Sequence, residues 1–172
     1  KDQQSVVGSK YVSVDYGTQN ATVYLLWEKN QKGQWVATKE YYYSGRDETT
    51  QKTDGEYADD MEEFLEGINV ESIIVDPAAA SFIAEHKKRG VKVKKAKNYV
   101  LDVIHVAGNL LNLGLLLFSE NCKETIKEFG SYIWDDKALE RGEDKPVKQH
   151  DHCMDAVRYF AYTIVRRERK WS

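Results

Sequence analysis

Two short apolar segments of this chain end in an aspartate. Tyr11-Val12-Ser13-Val14 runs into Asp15, and Ser72-Ile73-Ile74-Val75 runs into Asp76. An acid that closes an apolar strand stands at the sheet edge toward which the strand runs. If two such strands are parallel neighbours, both carboxylates face one crevice, where α/β sheets commonly bind ligands. A third acid, Asp155, falls in the first turn of a segment predicted to be the closing helix. His152 precedes it by three residues and Asp151 by four, so both lie beside it on the helix surface. Three converging carboxylates repel one another and hold on to protons. A divalent cation removes that conflict: Mg²⁺ or Mn²⁺ takes carboxylate oxygens, and an imidazole tilts the set toward Mn²⁺. Two such ions about 3.5–4 Å apart clamp the attacking and leaving oxygens of a phosphodiester.

Each of these residues also has an ordinary structural use. Asp15 suits a turn before Gly17, and Asp76 suits a turn at Pro77. Asp151 is a natural helix N-cap, and Asp155 complements a helix dipole. His152 alone reads as a surface histidine. Cys153 reads as part of the helix's apolar face with Val157, Phe160 and Ile164. Spacing alone leaves both sets of roles open.

The elements that must position these groups follow from hydrophobic periodicity. Residues 11–15, 21–28 and 34–43 read as an antiparallel meander with a turn at Asn30–Gly33. Residues 47–76 hold eleven acids and one lysine, with Tyr57, Met61, Phe64, Leu65 and Ile68 at helical spacing, which predicts an amphipathic helix with an acidic face. Residues 72–76 form a buried strand stopped by Pro77. A helix over 78–89, a strand over 91–96, a helix over 100–113 and a short strand over 115–118 follow. Residues 122–129 read as a short helix and 132–134 as extended. Residues 135–149 read as the one long loop, and 151–169 as the closing helix. The expected fold class is α/β: a mixed sheet of five or more strands, an antiparallel meander then parallel strands, flanked by helices.

Composition narrows the classes. The chain has 172 residues, 41% hydrophobic and 31% charged, the balance of one globular domain rather than a disordered segment. The net charge of −3 does not announce a nucleic-acid binder. Two cysteines without framework spacing argue against a disulfide scaffold or zinc finger. The longest apolar run is far short of a membrane span. No GxxxxGK[ST] segment is present, so the chain carries no P-loop motor. The basic stretch Lys87–Lys97 holds seven cations in eleven residues. Either it defends an edge strand or it tracks nucleic-acid phosphates. The run Arg166–Lys170 reads as a soluble end.

Taken in order, VSVDYG, IIVDPAAASFIAEHKKRG, VKKAKNYVLDVI and EFGSYIWDDKALERGEDKPVKQHDHCMDAVRYF resemble the nuclease domain of phage terminase large subunits. The segment EDKPVK..DH..DA.RY is the most specific part, and the resemblance runs from about Tyr11 to Tyr162. It implies a ribonuclease H-like (retroviral integrase-like) fold with two divalent metal ions, Mn²⁺ or Mg²⁺, that cuts double-stranded DNA. Position by position it implies Asp15, Asp76, Asp155 and His152 as catalytic, metal-holding residues, His152 fitting the family's metal-neighbouring histidine, with Asp151 as a lesser candidate. Residues 1–10 would be a linker remnant and 11–172 the nuclease domain, with an N-terminal ATPase domain absent from this chain. Implied partners are double-stranded DNA, the portal protein and the small terminase subunit, in the host-cell cytoplasm and without a membrane. Lys94, Lys95, Lys97, Lys145 and Lys148 are candidate DNA contacts; if replacing Lys145 and Lys148 by alanine leaves affinity and cleavage unchanged, those two drop out. Other nucleases of the same fold, junction resolvases or transposase cores, are the alternative, and preference for four-way junctions over linear duplex would point there. VDYGTQNATV also resembles the first phosphate loop of actin-like ATPases, but no second such segment follows.

Overall fold

A computed structural model describes residues 8–17, 20–45, 48–97, 107–140 and 152–168, the side chains of 132–140 excepted. The chain opens with β1 (Lys10–Asp15), β2 (Ala21–Lys29) and β3 (Trp35–Ser44), paired antiparallel in succession. Asn30 fixes the turn between β2 and β3: its Oδ1 accepts the N–H of Lys32 (3.0 Å) and of Gln34 (2.9 Å). Helix α1 (Asp54–Phe64) starts at a capping box between Thr53 and Glu56. Strand β4 (Ser72–Val75) then returns beside β1 and parallel to it. Helix α2 (Ala80–Lys88) leads to β5 (Val93–Lys95), parallel to β4 on its outer side. After a helix over 107–112, α3, strand β6 (Leu116–Phe118) pairs parallel with β3. The six-stranded sheet has the order β5-β4-β1-β2-β3-β6, in line with the mixed sheet expected from sequence. Helix α4 (Lys123–Glu140) and helix α5 (His152–Phe160) follow. A π-helical turn (Ala161–Val165) continues α5 into the short α6 (Arg166–Glu168).

Strand alternation divides the core between the two faces of the sheet. Val12, Val14, Tyr24, Leu26, Ile73 and Val75 pack against α1 and α2 through Tyr57, Met61, Phe64, Phe82 and Ile83. Val23, Leu25, Trp27 and Ile74 face α5 and its continuation through Cys153, Val157, Phe160 and Ile164. Aromatic contacts pin α5 in place. Phe160 stacks on Trp27, centroids 4.4 Å apart and planes at 7°, and meets Trp35 edge-on at 5.1 Å. The Trp27 indole N–H donates to Ser13 Oγ at 2.9 Å. The N-terminal end of α5 is thereby carried to the end of β1.

Three local expectations are corrected. Helix α4 runs through 132–134, which was expected to be extended, and through 135–140, expected to begin the long loop. The aromatic run favours strand locally, but extending an existing helix is far easier than starting one, so tertiary context overrides propensity. The closing helix is interrupted by the π-helical turn at 161–165. Residues 141–149 of the expected loop, with Lys145 and Lys148, lie outside the described residues, as do Asp151, residues 1–7 and residues 98–106.

His86 is 1% exposed. Its Nδ1 lies 2.8 Å from the Phe82 carbonyl, and its Nε2 has no hydrogen-bond partner among the described residues. Burial lowers its pKa below the ordinary value. The unfolded chain therefore takes up this proton first as pH falls, so stability is lost on acidification below about pH 6.5. His86→Leu is expected to flatten that dependence. Denaturant unfolding of both proteins at pH 7.5 and 5.5 tests this; equal losses in the two would refute it.

Candidate metal centre

Strands β1 and β4 are parallel neighbours, with Val14 opposite Val75. Asp15 and Asp76, the next residues along, therefore leave the sheet side by side. Gly17 follows closely for a steric reason: a Cβ there would stand 2.6 Å from the Ala21 carbonyl oxygen. Its N–H instead bonds Thr22 Oγ1 at 3.1 Å, closing the bend beyond β1.

The first turn of α5 meets this edge. His152 Nδ1 lies 2.8 Å from Asp15 Oδ2. An ionised carboxylate only accepts, so Nδ1 is the donor. Asp15, His152 and Asp155 each offer a ligand atom, and these atoms all lie within 4.8 Å of one another. Donors about 2.1 Å from one small cation span up to roughly 4.2 Å, so a slight contraction would close the set on an ion. Two hard carboxylates and an imidazole, all half-buried, fit Mn²⁺ or Mg²⁺. Asp76 is outside this three-residue group. Its Oδ1 accepts the Ala78 N–H at 2.8 Å and its Oδ2 accepts the Tyr159 hydroxyl at 3.1 Å. The structure thus brings Asp15, His152 and Asp155 together, with Asp76 adjoining through β1–β4 register.

Three participants escaped the sequence reading. Tyr159, one turn beyond Asp155, faces the acids; burial and the charges of Asp15 and Asp76 raise its pKa, so it remains a hydrogen-bond donor. Arg158 pairs with Asp155 at i,i+3 and offsets part of the negative charge. Helical spacing from Asp155 was the signal available for both. Glu128 of α4 caps α5 from outside: its Oε1 accepts the N–H of Cys153 (3.0 Å) and of Met154 (3.2 Å). Burial raises the pKa of this carboxyl, opposed by the hydrogen bonds from Cys153 and Met154 and by His152 nearby. A second carboxylate works the same way one element earlier. Glu40 of β3 accepts the N–H of Glu124 (3.0 Å) and of Thr125 (2.9 Å) at the start of α4. The position of the α5 N-terminus is therefore relayed from the sheet through two caps.

Cys122 and Cys153 are fully buried free thiols, with burial pushing both above the ordinary range. They behave as core residues, not ligands. Of the basic candidates, Lys94 and Lys95 lie on β5, and Lys97 follows just past its end, beside the Asp76 edge. Among the described residues no helix is long and apolar enough to cross a membrane.

No protein-family profile matches the chain. It is 30% identical over 139 residues to the large subunit of the terminase of Escherichia phage T5, covering 75% of this chain and 30% of that protein. It is 52% identical to the large terminase of a thermophilic bacteriophage solved in complex with ADP, at a TM-score of 0.82, covering 92% of this chain and 40% of that one. The large terminase nuclease of the thermophilic phage G20c, solved with bound zinc, is 12% identical at a TM-score of 0.60, covering 91% of this chain and 81% of that one, a likeness of fold. The ribonuclease H-like sheet expected from sequence is the fold these neighbours share. The chain spans well under half the length of the T5 protein and of the ADP-bound terminase.

Proposed function

The chain belongs to the large terminase family of bacteriophages, and from that premise we propose that it is the family's nuclease portion. In this reading it is a metal-dependent endonuclease that cuts double-stranded, concatemeric viral DNA when packaging starts and when it ends. The observation that carries the reading is the meeting of Asp15, His152 and Asp155 at the strand ends, with Asp76 next to Asp15. The zinc bound to the G20c nuclease lends further support to metal use at such a fold.

Two divalent ions, Mn²⁺ or Mg²⁺, would supply an activated water and stabilisation of the leaving 3′ oxygen. Asp15 stands between Asp76 on one side and the His152–Asp155 pair on the other, so it is the acid placed to be shared. Asp76 would hold one side of the site and Asp155 the other. His152, bonded to Asp15, fixes the orientation of that carboxylate or joins the ligand set. Tyr159 holds Asp76 by its Oδ2, and Arg158 balances Asp155. With so few protein ligands, phosphate oxygens of DNA would complete the shell. Among the described residues no element resembles a major-groove reading helix, so little sequence preference is expected.

Residues 11–172 would form the nuclease domain, and residues 1–10 a linker from an N-terminal ATPase domain in the full protein. Portal protein and small terminase subunit would be its partners, in the host-cell cytoplasm.

The test is a plasmid-cleavage gel with Mn²⁺, Mg²⁺ or chelator, with Asp76→Ala alongside. Metal-dependent nicking and linearisation that vanish in the variant are expected. Absence of cleavage by folded protein in either metal would overturn the reading. Tyr159→Phe removes one donor to Asp76, worth about 1 kcal/mol, so initial rates should fall roughly three- to tenfold with the melting temperature little changed. Unchanged rates would remove Tyr159 from the site.

A further inference from the structure

Strand β5 is an outer edge of the sheet, and three cations gather along it. Lys94 pairs with Ile74, so its side chain lies on the same sheet face as Ile74, the face covered by α5 and the π-helical turn. Lys97 is joined to that turn, its N–H donating to Thr163 Oγ1 at 3.2 Å. Arg167 lies four residues beyond Thr163, on the same side of the helix, and is exposed. The charges of Arg167 and Lys97, added to burial, lower the pKa of Lys94. None of the three forms an ion pair among the described residues. Of the acids near Arg167, Glu168 is turned to Lys29 and the Trp35 indole, and Glu71 stands at the opposite end of β4 from Asp76.

Lysines on an edge strand, an inward-pointing one included, also serve to defend that edge. That role ends with β5 and does not account for Lys97 and Arg167, which lie off the strand and act on half-buried Lys94. Like charges brought together without an ion pair among the described residues lower the stability of the folded domain, and an external polyanion would relieve them. Lys95 pairs with Val75, the residue before Asp76, so the strip leads to the same edge as the carboxylates. We propose that Lys94, Lys97 and Arg167 form a contact strip for the phosphate backbone of duplex DNA, running along the outer sheet edge to Asp76. The strip deepens the nuclease reading and rests on it, and it makes Arg167 part of the DNA surface.

The experiment is fluorescence anisotropy with a 30-base-pair duplex in chelator, so that binding is read without cleavage. Wild type is compared with Lys94→Gln/Lys97→Gln/Arg167→Gln and with the charge-matched Lys32→Gln/Lys87→Gln/Lys88→Gln. The strip variant should bind at least about tenfold more weakly at low salt. Its slope of log affinity against log salt should be shallower by about 2–3, roughly 0.9 for each phosphate no longer neutralised. Its melting temperature should be equal or higher, because repulsion has been removed. Unchanged affinity and slope, or an equal loss in the charge-matched variant, would overturn the proposal. Failure of the nuclease reading would show separately, as absence of plasmid cleavage by wild type in either metal.

Discussion

Replacing Asp15 with asparagine is expected to abolish metal-dependent cleavage, by about a thousandfold or more, while leaving the fold intact. The carboxylate is the shared member of the site: His152 bonds it, Asp155 is grouped with it, and Asp76 adjoins it through the β1–β4 register. Metal activation contributes several kcal/mol to such reactions, and each 1.36 kcal/mol is tenfold in rate. Asparagine keeps the shape and one acceptor oxygen but loses the charge that holds a cation. The same change removes repulsion between neighbouring carboxylates, so metal-free stability should be equal or slightly greater. Thermal unfolding with and without Mn²⁺ separates the effects. Wild type should gain stability with Mn²⁺ by linkage, and Asp15→Asn should gain little. A variant that still cleaves plasmid at near wild-type rate would mean the chemistry does not run through Asp15.

Glu128→Ala is expected to have the second largest effect, through the position of α5 rather than through contact with DNA. Its loss strands the Cys153 and Met154 N–H groups at a buried helix terminus. An N-cap is worth about 0.5–2 kcal/mol, and unsatisfied buried donors cost about 1–3 kcal/mol. His152 and Asp155 start from that terminus, so the Mn²⁺ concentration giving half-maximal cleavage should rise roughly 10–100-fold, as when a supporting group of a metal site is removed. Glu128→Gln retains an acceptor oxygen and should recover much of the stability and part of the metal affinity. If Glu128→Ala lowers the melting temperature but leaves the metal requirement unchanged, the cap serves stability alone.

Much of this arrangement is legible in the residues by themselves. The β-branched runs ending at Asp15 and Asp76 are local patterns, since a short apolar segment and its terminating acid need no tertiary information. The helix that carries Asp155 is legible for the same reason: Cys153, Val157, Phe160 and Ile164 set its inner face, which leaves Asp155 turned away from the deepest core. The resemblance of the DAVRY segment to large terminase nuclease domains orders these pieces into one site, and the likeness to the T5 protein and to the ADP-bound terminase bears out that family.

Long-range contacts decided the rest. The β1–β4 pairing that sets Asp15 beside Asp76 joins strands about sixty residues apart. No local preference encodes it; burial of Ile73, Ile74 and Val75 on both faces rewards it only once α1, α2 and α5 are in place. The hydroxyl that holds Asp76 comes from Tyr159, whose partner is invisible in a helical pattern. Glu128 is the clearest case. In sequence it is one more charge on an amphipathic helix, and it becomes the cap of the helix carrying His152 and Asp155 only because Glu40 sets the start of α4 and Phe160 stacks on Trp27. Sequence by itself determined which residue types stand at the ends of which elements, because that is set by periodicity. Only the tertiary structure decided their partners, because hydrogen bonds and ion pairs between distant segments depend on which surfaces the core brings into contact.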